Sequence, residues 1–199
     1  MISLIIGLGN IGSRYENTRH NLGFEVVDLA VKKVEVGQMK TSAAHLNATK
    51  DFFYHSFECK IDDRKIIFAK PTTMMNGSGD SVIALLNNLG LPPSEMLVVV
   101  DDFNIPLGTI RFRPNGSDGG HNGLESIIAA IQSDNFPRLR LGIGPVPKGE
   151  EIVDFVLGKF SKSEQKITKK MIDIAAEAVI FAAGHRFDET MSKYNYNPV

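Results

Sequence analysis

The sequence is poor in the residues that build disulfide frameworks and membrane spans. Its 199 residues include one cysteine, Cys59, and no tryptophan. A single cysteine excludes an internal disulfide and fits a reducing compartment. No apolar run reaches the roughly 18 residues that a membrane span needs, and the N-terminal MISLIIG lacks the basic region of a signal peptide. We therefore expect a cytoplasmic protein with no membrane segment.

The sequence also has no large excess of charge of one sign and no histidine or cysteine spacing that is typical of metal ligands. The net charge is −1, so any surface for nucleic acid must be a local basic patch. The five histidines form no H-x-x-x-H motif and no cysteine pair accompanies them, so we expect no metal. Ser78 and Ser117 lie among glycines, but neither fits the G-x-S-x-G elbow of a serine nucleophile, and turn or cap roles are favoured. A histidine base acting on water remains.

What is present is an alternation of strand and helix patterns. The hydrophobic content of 43% is enough for one packed domain. The alternation predicts an α/β fold: a single domain over residues 1–199, with a mixed, largely parallel central sheet and helices on both faces. The apolar run Met96–Val100 predicts a buried central strand that ends at Asp101-Asp102, followed by a connector at Ile105–Gly108.

The remaining pattern gives the other elements. Ser161 and Glu164 form an S-x-x-E capping box for a helix over about 162–183, which Gly184 ends. The segment before that helix reads as irregular, and the tail 185–199 is expected to be loosely held. Further strands are predicted at Ile2–Ile6, His45–Thr49, Phe52–Ile61, Lys65–Lys70, Ile110–Arg113 and Phe136–Ile143. Further helices are predicted at Phe24–Val34 (stopped by Gly37), Asp80–Leu89 and Leu124–Gln132.

The loop after the first strand, GLGNIGSRYENTRHNLGF, admits two interpretations. Gly7, Gly9 and Gly12 fit the dinucleotide fingerprint G-x-G-x-x-G. In that fingerprint the helix starts directly after the last glycine, whereas here no apolar periodicity begins before Leu22. A lone fingerprint is a weak signal, and the alternative is a catalytic loop.

Polar residues recur in four loops near the carboxyl ends of predicted strands, where ligands bind in such sheets. A neutral His20 could take a proton from water, and a carboxylate on its other ring nitrogen would fix its tautomer. Asp101 is the best-placed carboxylate, although a turn or cap role is as plausible for it, and His20 could instead cap the helix that follows. Asn76 and Asn122 stand beside glycines, where a left-handed turn residue is the alternative.

Four segments together resemble the bacterial-type peptidyl-tRNA hydrolase family. The first loop is close to the pattern GLGNPGxxYxxTRHNxGF. Lys70–Gly79 is similar to KPxTFMNxSG, Gly119–Leu124 to GGHNGL, and Phe136–Gly144 to FxRLRxGIG, all in order along the chain. Asp101 falls on the acidic residue of the family. The chain departs from the family patterns at Ile11, Met74 and Val100, where proline, an aromatic residue and histidine are usual.

The resemblance implies a cytoplasmic, monomeric esterase that cleaves the bond between peptide and tRNA in peptidyl-tRNA, without a cofactor or metal. It implies that His20 activates water, Asp101 orients His20 and Asn10 holds the peptide end. The substrate site would be lined by Tyr15, Met74, Asn76 and Asn122, with His121 nearby. An RNA-binding protein that shares the fold without hydrolysing, and a nucleotide-dependent oxidoreductase, are the alternatives.

A basic patch must hold the tRNA if this interpretation is correct. Arg111 and Arg113 alternate along one predicted strand, and Arg138 and Arg140 along another. The same alternation is typical of a solvated sheet face. Arg113 and Arg140 match basic positions that the family uses near the phosphate at the tRNA end, so these two are predicted to bind substrate. Lysines 162, 166, 169 and 170 on the final long helix are the alternative patch.

Overall fold

The computed structural model describes residues 1–36, 47–50, 53–61 and 63–196. Its centre is a seven-stranded sheet in the order β2-β3-β4-β1-β5-β7-β6. The strands are β1 (Leu4–Gly7), β2 (Asn47–Lys50), β3 (Tyr54–Ile61), β4 (Arg64–Pro71), β5 (Met96–Pro106), β6 (Ile110–Arg113) and β7 (Arg138–Gly144). The four central strands β4, β1, β5 and β7 are parallel, while β2, β3 and β6 pair antiparallel at the edges.

Helices cover both faces of the sheet, and each face has its own apolar core. The helices are α1 (Leu22–Glu35), α2 (Ser78–Leu89), α3 (Asn122–Ile131), α4 (Ile152–Leu157), α5 (Lys162–Gly184) and α6 (Phe187–Tyr194). Helices α1 and α5 pack on the face that carries Ile5, Leu97 and Val99. Helices α2 and α3 pack on the face that carries Ile6 and Val98. The predicted fold class, a mixed α/β sheet covered on both faces, is confirmed.

Strand β5 is longer than the apolar run predicted. It continues through Asp101 and Asp102, which pair with Leu141 and Gly142 of β7, and it ends only at Pro106. The prediction that the strand ends at the aspartates was therefore wrong. The prediction that Ile105–Gly108 is a connector was wrong for its first two residues, which belong to the strand. Buried carboxylates can continue a central strand when they are paired, and both aspartates have cationic or hydrogen-bonding partners.

The tail is ordered over most of its length, contrary to the expectation of a loosely held segment. Residues Phe187–Tyr194 form α6, and Tyr194 is buried. The side-chain amide of Asn195 pairs with the backbone N–H and C=O of Phe112, and the backbone of Tyr196 bridges to Ile110. These bonds cover the outer edge of β6, which would otherwise expose unpaired backbone groups.

The segment predicted to be irregular contains α4, whose N-terminal residues Ile152 and Val153 are exposed while Phe155 and Val156 are buried. The capping box of α5 is present, with Ser161 and Glu164 bonded reciprocally. Predictions at Gly37, His45 and Phe52, and at 197–199, lie outside the described residues. Among the described residues, none of the helices is long and apolar enough to cross a membrane.

Candidate active site

The glycines of the first loop allow close packing between β1 and α1. A Cβ on Gly9 would lie 2.7 Å from the ring of Phe24, and a Cβ on Gly23 would lie 2.4 Å from the backbone nitrogen of Leu8. Two single turns of 3-10 helix, Ser13–Tyr15 and Arg19–Asn21, intervene before α1 begins. The helix therefore starts at Leu22 and not directly after Gly12, so its N-terminus is not placed for a pyrophosphate as in the dinucleotide fingerprint.

His20 and Asp101 form a buried hydrogen-bonded pair. Nδ1 of His20 lies 2.9 Å from Oδ1 and 3.1 Å from Oδ2 of Asp101. The 3-10 turn before α1 supplies the histidine, and the central strand β5 supplies the aspartate. A carboxylate can only accept, so Nδ1 carries the proton and the lone pair of a neutral His20 is on Nε2. Among the described residues, none bonds to that Nε2.

The charges of the pair stabilise each other. Burial lowers the pKa of His20, but the charge of Asp101 and its hydrogen bond outweigh burial, so the pKa of His20 is raised above its ordinary value. Burial alone would raise the pKa of Asp101; attraction to His20, together with the hydrogen bonds from His121 and His20, lowers it well below its ordinary value instead. Asp101 is thus ionised at neutral pH and favours a protonated His20 once a proton arrives.

His121 lies on the same carboxylate. Its Nε2 is 3.2 Å from Oδ1 of Asp101, and its ring centroid is 4.7 Å from that of His20. The ligand atoms of His20, Asp101 and His121 lie within 4.8 Å of one another, which a metal site could also show. However, Nδ1 of His121 accepts two backbone N–H bonds, so Nε2 carries the proton and has no lone pair for a metal. The arrangement fits a hydrogen-bonded cluster better than a metal centre.

Asn10 is held in one orientation by its neighbours. Its backbone N–H and C=O bond reciprocally to the side chain of Asn21, at 2.8 and 3.0 Å. Its Oδ1 accepts the backbone N–H of Met75 at 2.7 Å. Since that N–H can only donate, the oxygen of the amide is fixed there and the Nδ2 group faces away from it. Nδ2 has no partner among the described residues, which leaves a positioned donor.

His20 and Asn10 both line one cavity of about 280 Å³. Four residues predicted to bind substrate also line it, which brings the predicted cluster together: Tyr15, Met74, Asn76 and Asn122. A larger cavity of about 520 Å³ lies on another side of Asn10, but neither His20 nor Asp101 lines it. We therefore assign the candidate chemistry to the smaller cavity.

Sequence reasoning missed three groups of residues at the site. Helix α4 covers one side of the cavity with Val153, Val156 and Leu157. Its signal was the apolar spacing in IVDFVL, which is short and follows a Pro/Gly-rich stretch. Asn21 and Met75, which orient Asn10, stood inside recognisable motifs, but their contacts depend on the fold.

Met74 has a backbone conformation that is rare for a residue with a side chain. Its φ is 59° and its ψ is 166°, a region that is essentially reserved for glycine and costs on the order of 1–3 kcal/mol. The next peptide N–H is the one that binds Oδ1 of Asn10. The strained residue thus directs the donor that orients Asn10.

Arg19, next to His20, was not predicted to have a role. Nη2 of its guanidinium donates to both carboxylate oxygens of Glu164, and Nη1 donates to the carbonyls of Phe155 and Lys159. The guanidinium carbon lies 4.4 Å from the ring centre of Phe155 and 4.9 Å from that of Phe160. These contacts fasten the His20 turn to α4 and to the start of α5. The side chain is almost fully buried, and its Nε has no partner among the described residues.

The arginines lie apart from the cavity lining. Arg113 is exposed at the edge strand β6. Arg140 is partly buried, pairs with Asp102 at 2.9 Å and donates to the carbonyl of Ser117. Arg138 is fully buried and donates to the carbonyls of the loop around Gly116, so the expectation that it belongs to a solvent-facing patch was wrong. Arg113 therefore faces solvent outside the cavity, whereas the guanidinium of Arg140 is engaged by Asp102 and Ser117.

The fold and the site define a class: an α/β protein with a histidine–aspartate pair beside a cavity of polar and apolar side chains at the carboxyl edge of the sheet. The comparisons are specific. The sequence model of the family described as "Peptidyl-tRNA hydrolase" matches residues 4–199. The peptidyl-tRNA hydrolase of Sulfurihydrogenibium sp. (strain YO3AOP1) is 43% identical over 199 residues, covering 100% of both chains. That of Persephonella marina is 40% identical over 195 residues, or 98% of both.

A solved structure agrees with these sequence matches. The crystal structure of peptidyl-tRNA hydrolase from Acinetobacter baumannii superposes with a TM-score of 0.88 at 34% identity, covering 100% of this chain and 97% of the other. The chain therefore belongs to the peptidyl-tRNA hydrolase family.

Proposed function

We propose that this protein hydrolyses the ester bond between peptide and tRNA in peptidyl-tRNA, with His20 as the base that activates water. The observation that carries the proposal is the geometry of His20: Nδ1 is held by Asp101 at 2.9 Å, Nε2 has no partner among the described residues, and the residue lines the cavity. The relatives at about 40% identity are named for the same activity. A positioned base contributes roughly 10²–10⁴-fold to such reactions.

The step follows from the hydrogen bonds. Nε2 of His20 takes a proton from water as the water oxygen attacks the ester carbonyl carbon. Asp101 stabilises the imidazolium that forms. When the tetrahedral intermediate collapses, the bond from carbon to the ribose oxygen breaks, and the imidazolium returns its proton to that oxygen. The products are a free carboxylic acid and the terminal hydroxyl of tRNA, and no cofactor is consumed.

Asn10 and the cavity walls hold the reacting end of the substrate. The free Nδ2 of Asn10 donates to a peptide carbonyl near the ester, because its Oδ1 is already committed to Met75. Tyr15 and Met74 offer ring and thioether contacts, and the exposed amides of Asn76 and Asn122 each offer a donor and an acceptor. A donor and an acceptor on one side chain suit both the peptide and the ribose, since each of them has groups that donate and groups that accept hydrogen bonds.

The tRNA body is held outside the cavity by Arg113 and Arg140. With a net charge of −1, the protein has no general attraction for a polyanion, so local arginines must supply it. We further propose that the protein acts as a monomer in the cytoplasm.

The test is cleavage of N-acetyl-aminoacyl-tRNA in ¹⁸O-labelled water, with chelator and without cofactor. We expect free tRNA and an N-acetyl amino acid that carries one ¹⁸O in its carboxyl group. Binding of the tRNA without cleavage would indicate an RNA-binding protein, and label in the ribose hydroxyl would refute attack at the carbonyl carbon.

A further inference from the structure

His121 is a second buried histidine on Asp101 that the reaction step above does not use. It is 5% exposed and both of its ring nitrogens are bonded. Nε2 lies 3.2 Å from Oδ1 of Asp101, and Nδ1 lies 3.1 and 3.2 Å from the backbone nitrogens of Gly123 and Leu124. His121 is therefore at once the N-cap of α3 and a neighbour of the catalytic pair.

The bonds of His121 determine its tautomer. Backbone N–H groups only donate, so Nδ1 must carry a lone pair and the single ring proton must be on Nε2. Protonating Nδ1 would place an N–H against two N–H groups and remove the cap. It would also place a cation at the positive end of a helix, which is unfavourable. His121 is thus held neutral, with its proton directed at Asp101.

One carboxylate oxygen is therefore shared. Oδ1 of Asp101 accepts from Nδ1 of His20 at 2.9 Å and from Nε2 of His121 at 3.2 Å. A hydrogen bond to a carboxylate stabilises its negative charge. The carboxylate then stabilises a nearby cation less strongly. A neutral donor also fixes the rotation of the carboxylate without adding a charge of its own.

We propose that His121 is a positioning residue: as a donor through Nε2 it fixes the Asp101 carboxylate and limits how strongly Asp101 favours the protonated form of His20. The proposal rests on the proposed function, since its purpose is to keep His20 neutral enough to act as a base. Without His121, Asp101 would keep His20 protonated up to a higher pH. A smaller fraction of the enzyme would then have an unprotonated Nε2 on His20 at neutral pH.

Few ionisable groups other than Asp101 and His121 surround His20 and could change its pKa. Strand β5 contributes Asp101 and the N-cap of α3 contributes His121. On the turn of His20 itself, the guanidinium of Arg19 is engaged by Glu164 at 3.1 Å. Tyr15 lines the same cavity, and α4 presents only apolar side chains there. Within the described ranges, Asp101 and His121 are the two ionisable groups hydrogen-bonded in this cluster with His20.

The test uses a variant that separates the two roles of His121. In His121→Asn the side-chain oxygen occupies the place of Nδ1 and keeps the cap, since asparagine is a preferred N-cap, but the shorter side chain places no donor at Nε2. The matched control is His185→Asn, because His185 is exposed and stacks on Phe181 far along α5. The pKa of His20 is measured by NMR of the ring in the free protein, and the pH dependence of cleavage is measured in parallel.

We expect His121→Asn to raise the pKa of His20 by about one unit, a tenfold change in its protonation equilibrium, while His185→Asn leaves it unchanged. The acidic limb of the cleavage profile should move to higher pH by the same amount, with the rate at high pH largely retained. An unchanged pKa of His20 in a folded His121→Asn protein would overturn the proposal.

The ¹⁵N shifts of wild-type His121 give a test that needs neither a variant nor activity. At neutral pH they should show the ring proton on Nε2 and a lone pair on Nδ1. A ring that carries its proton on Nδ1 would also overturn the proposal. Because the NMR measurements do not depend on cleavage, they separate failure of this proposal from failure of the proposed function.

Discussion

Replacing Asp101 by asparagine tests the His20–Asp101 pair by removing one charge with little change of shape. In the native protein, both oxygens of Asp101 face Nδ1 of His20 and one of them also accepts from His121. An amide offers one acceptor to these two donors, and its NH₂ group would face a ring nitrogen. His20 can satisfy that group only by moving its proton to Nε2, which removes the lone pair from the cavity.

The size of the effect follows from the charge. Two unit charges about 4 Å apart interact by roughly 4 kcal/mol at an effective dielectric constant of about 20. A factor of ten in rate corresponds to about 1.4 kcal/mol, so complete loss of this attraction would slow cleavage by about 10³. The imidazolium is only partly formed in the transition state, and we therefore expect a loss on the order of 10²–10³.

The direction of the pH shift is a second prediction of the same change. Asp101 raises the pKa of His20, so its removal lowers that pKa and moves the acidic limb of cleavage to lower pH while the plateau falls. The assay is single-turnover cleavage of N-acetyl-aminoacyl-tRNA from pH 5 to 9, with the exposed Asp188→Asn as the control. An unchanged plateau and limb in a folded Asp101→Asn protein would make Asp101 a structural residue and refute the reasoning.

Three further changes test other contacts. Met74→Gly should be more stable to urea than Met74→Ala by about 1 kcal/mol, because only glycine removes the strain at positive φ; equal stabilities would argue against strain. Arg19→Met should cost about 2 kcal/mol of unfolding free energy, because the carbonyls of Phe155 and Lys159 lose their donor, and a loss below about 1 kcal/mol would show that these contacts are not a main support of the turn. Arg113→Ala and Arg140→Ala should each raise KM for full tRNA and reduce its salt dependence by about one phosphate contact. Cleavage of a peptide ester of a single nucleoside should hardly change, and equal losses on both substrates would assign the arginines to the fold.

Much of the site could be predicted because it depends on local patterns. The apolar run Met96–Val100 followed by Asp101 placed that carboxylate near the ligand-binding edge of the sheet, beside the loop that holds His20, although β5 continues past it. The S-x-x-E pattern at Ser161 likewise predicted a cap whose two hydrogen bonds are within one turn of helix. In each case the residues that determine the structure are neighbours in the sequence.

Features that depend on distant contacts could not be predicted. Alternation along β7 assigns Arg138 and Arg140 to one face, but not that the loop around Gly116 covers the first of them. The spacing of Phe187, Met191 and Tyr194 fits one face of a helix, but α6 is short and otherwise polar, and its packing against the core beside β6 is a distant contact. The tautomer of His121 depends on the N-terminus of α3 and on a carboxylate 20 residues earlier in the chain.

The central claim is that Nε2 of His20 removes the proton from water. The most direct measurement is single-turnover cleavage of N-acetyl-aminoacyl-tRNA by His20→Gln at saturating protein, with His185→Gln as the matched control and tRNA affinity measured on both. The account predicts that His20→Gln binds tRNA normally and cleaves at least about 10²-fold more slowly, while His185→Gln is unaffected. Cleavage by a folded His20→Gln protein within a few-fold of the wild-type rate would contradict it.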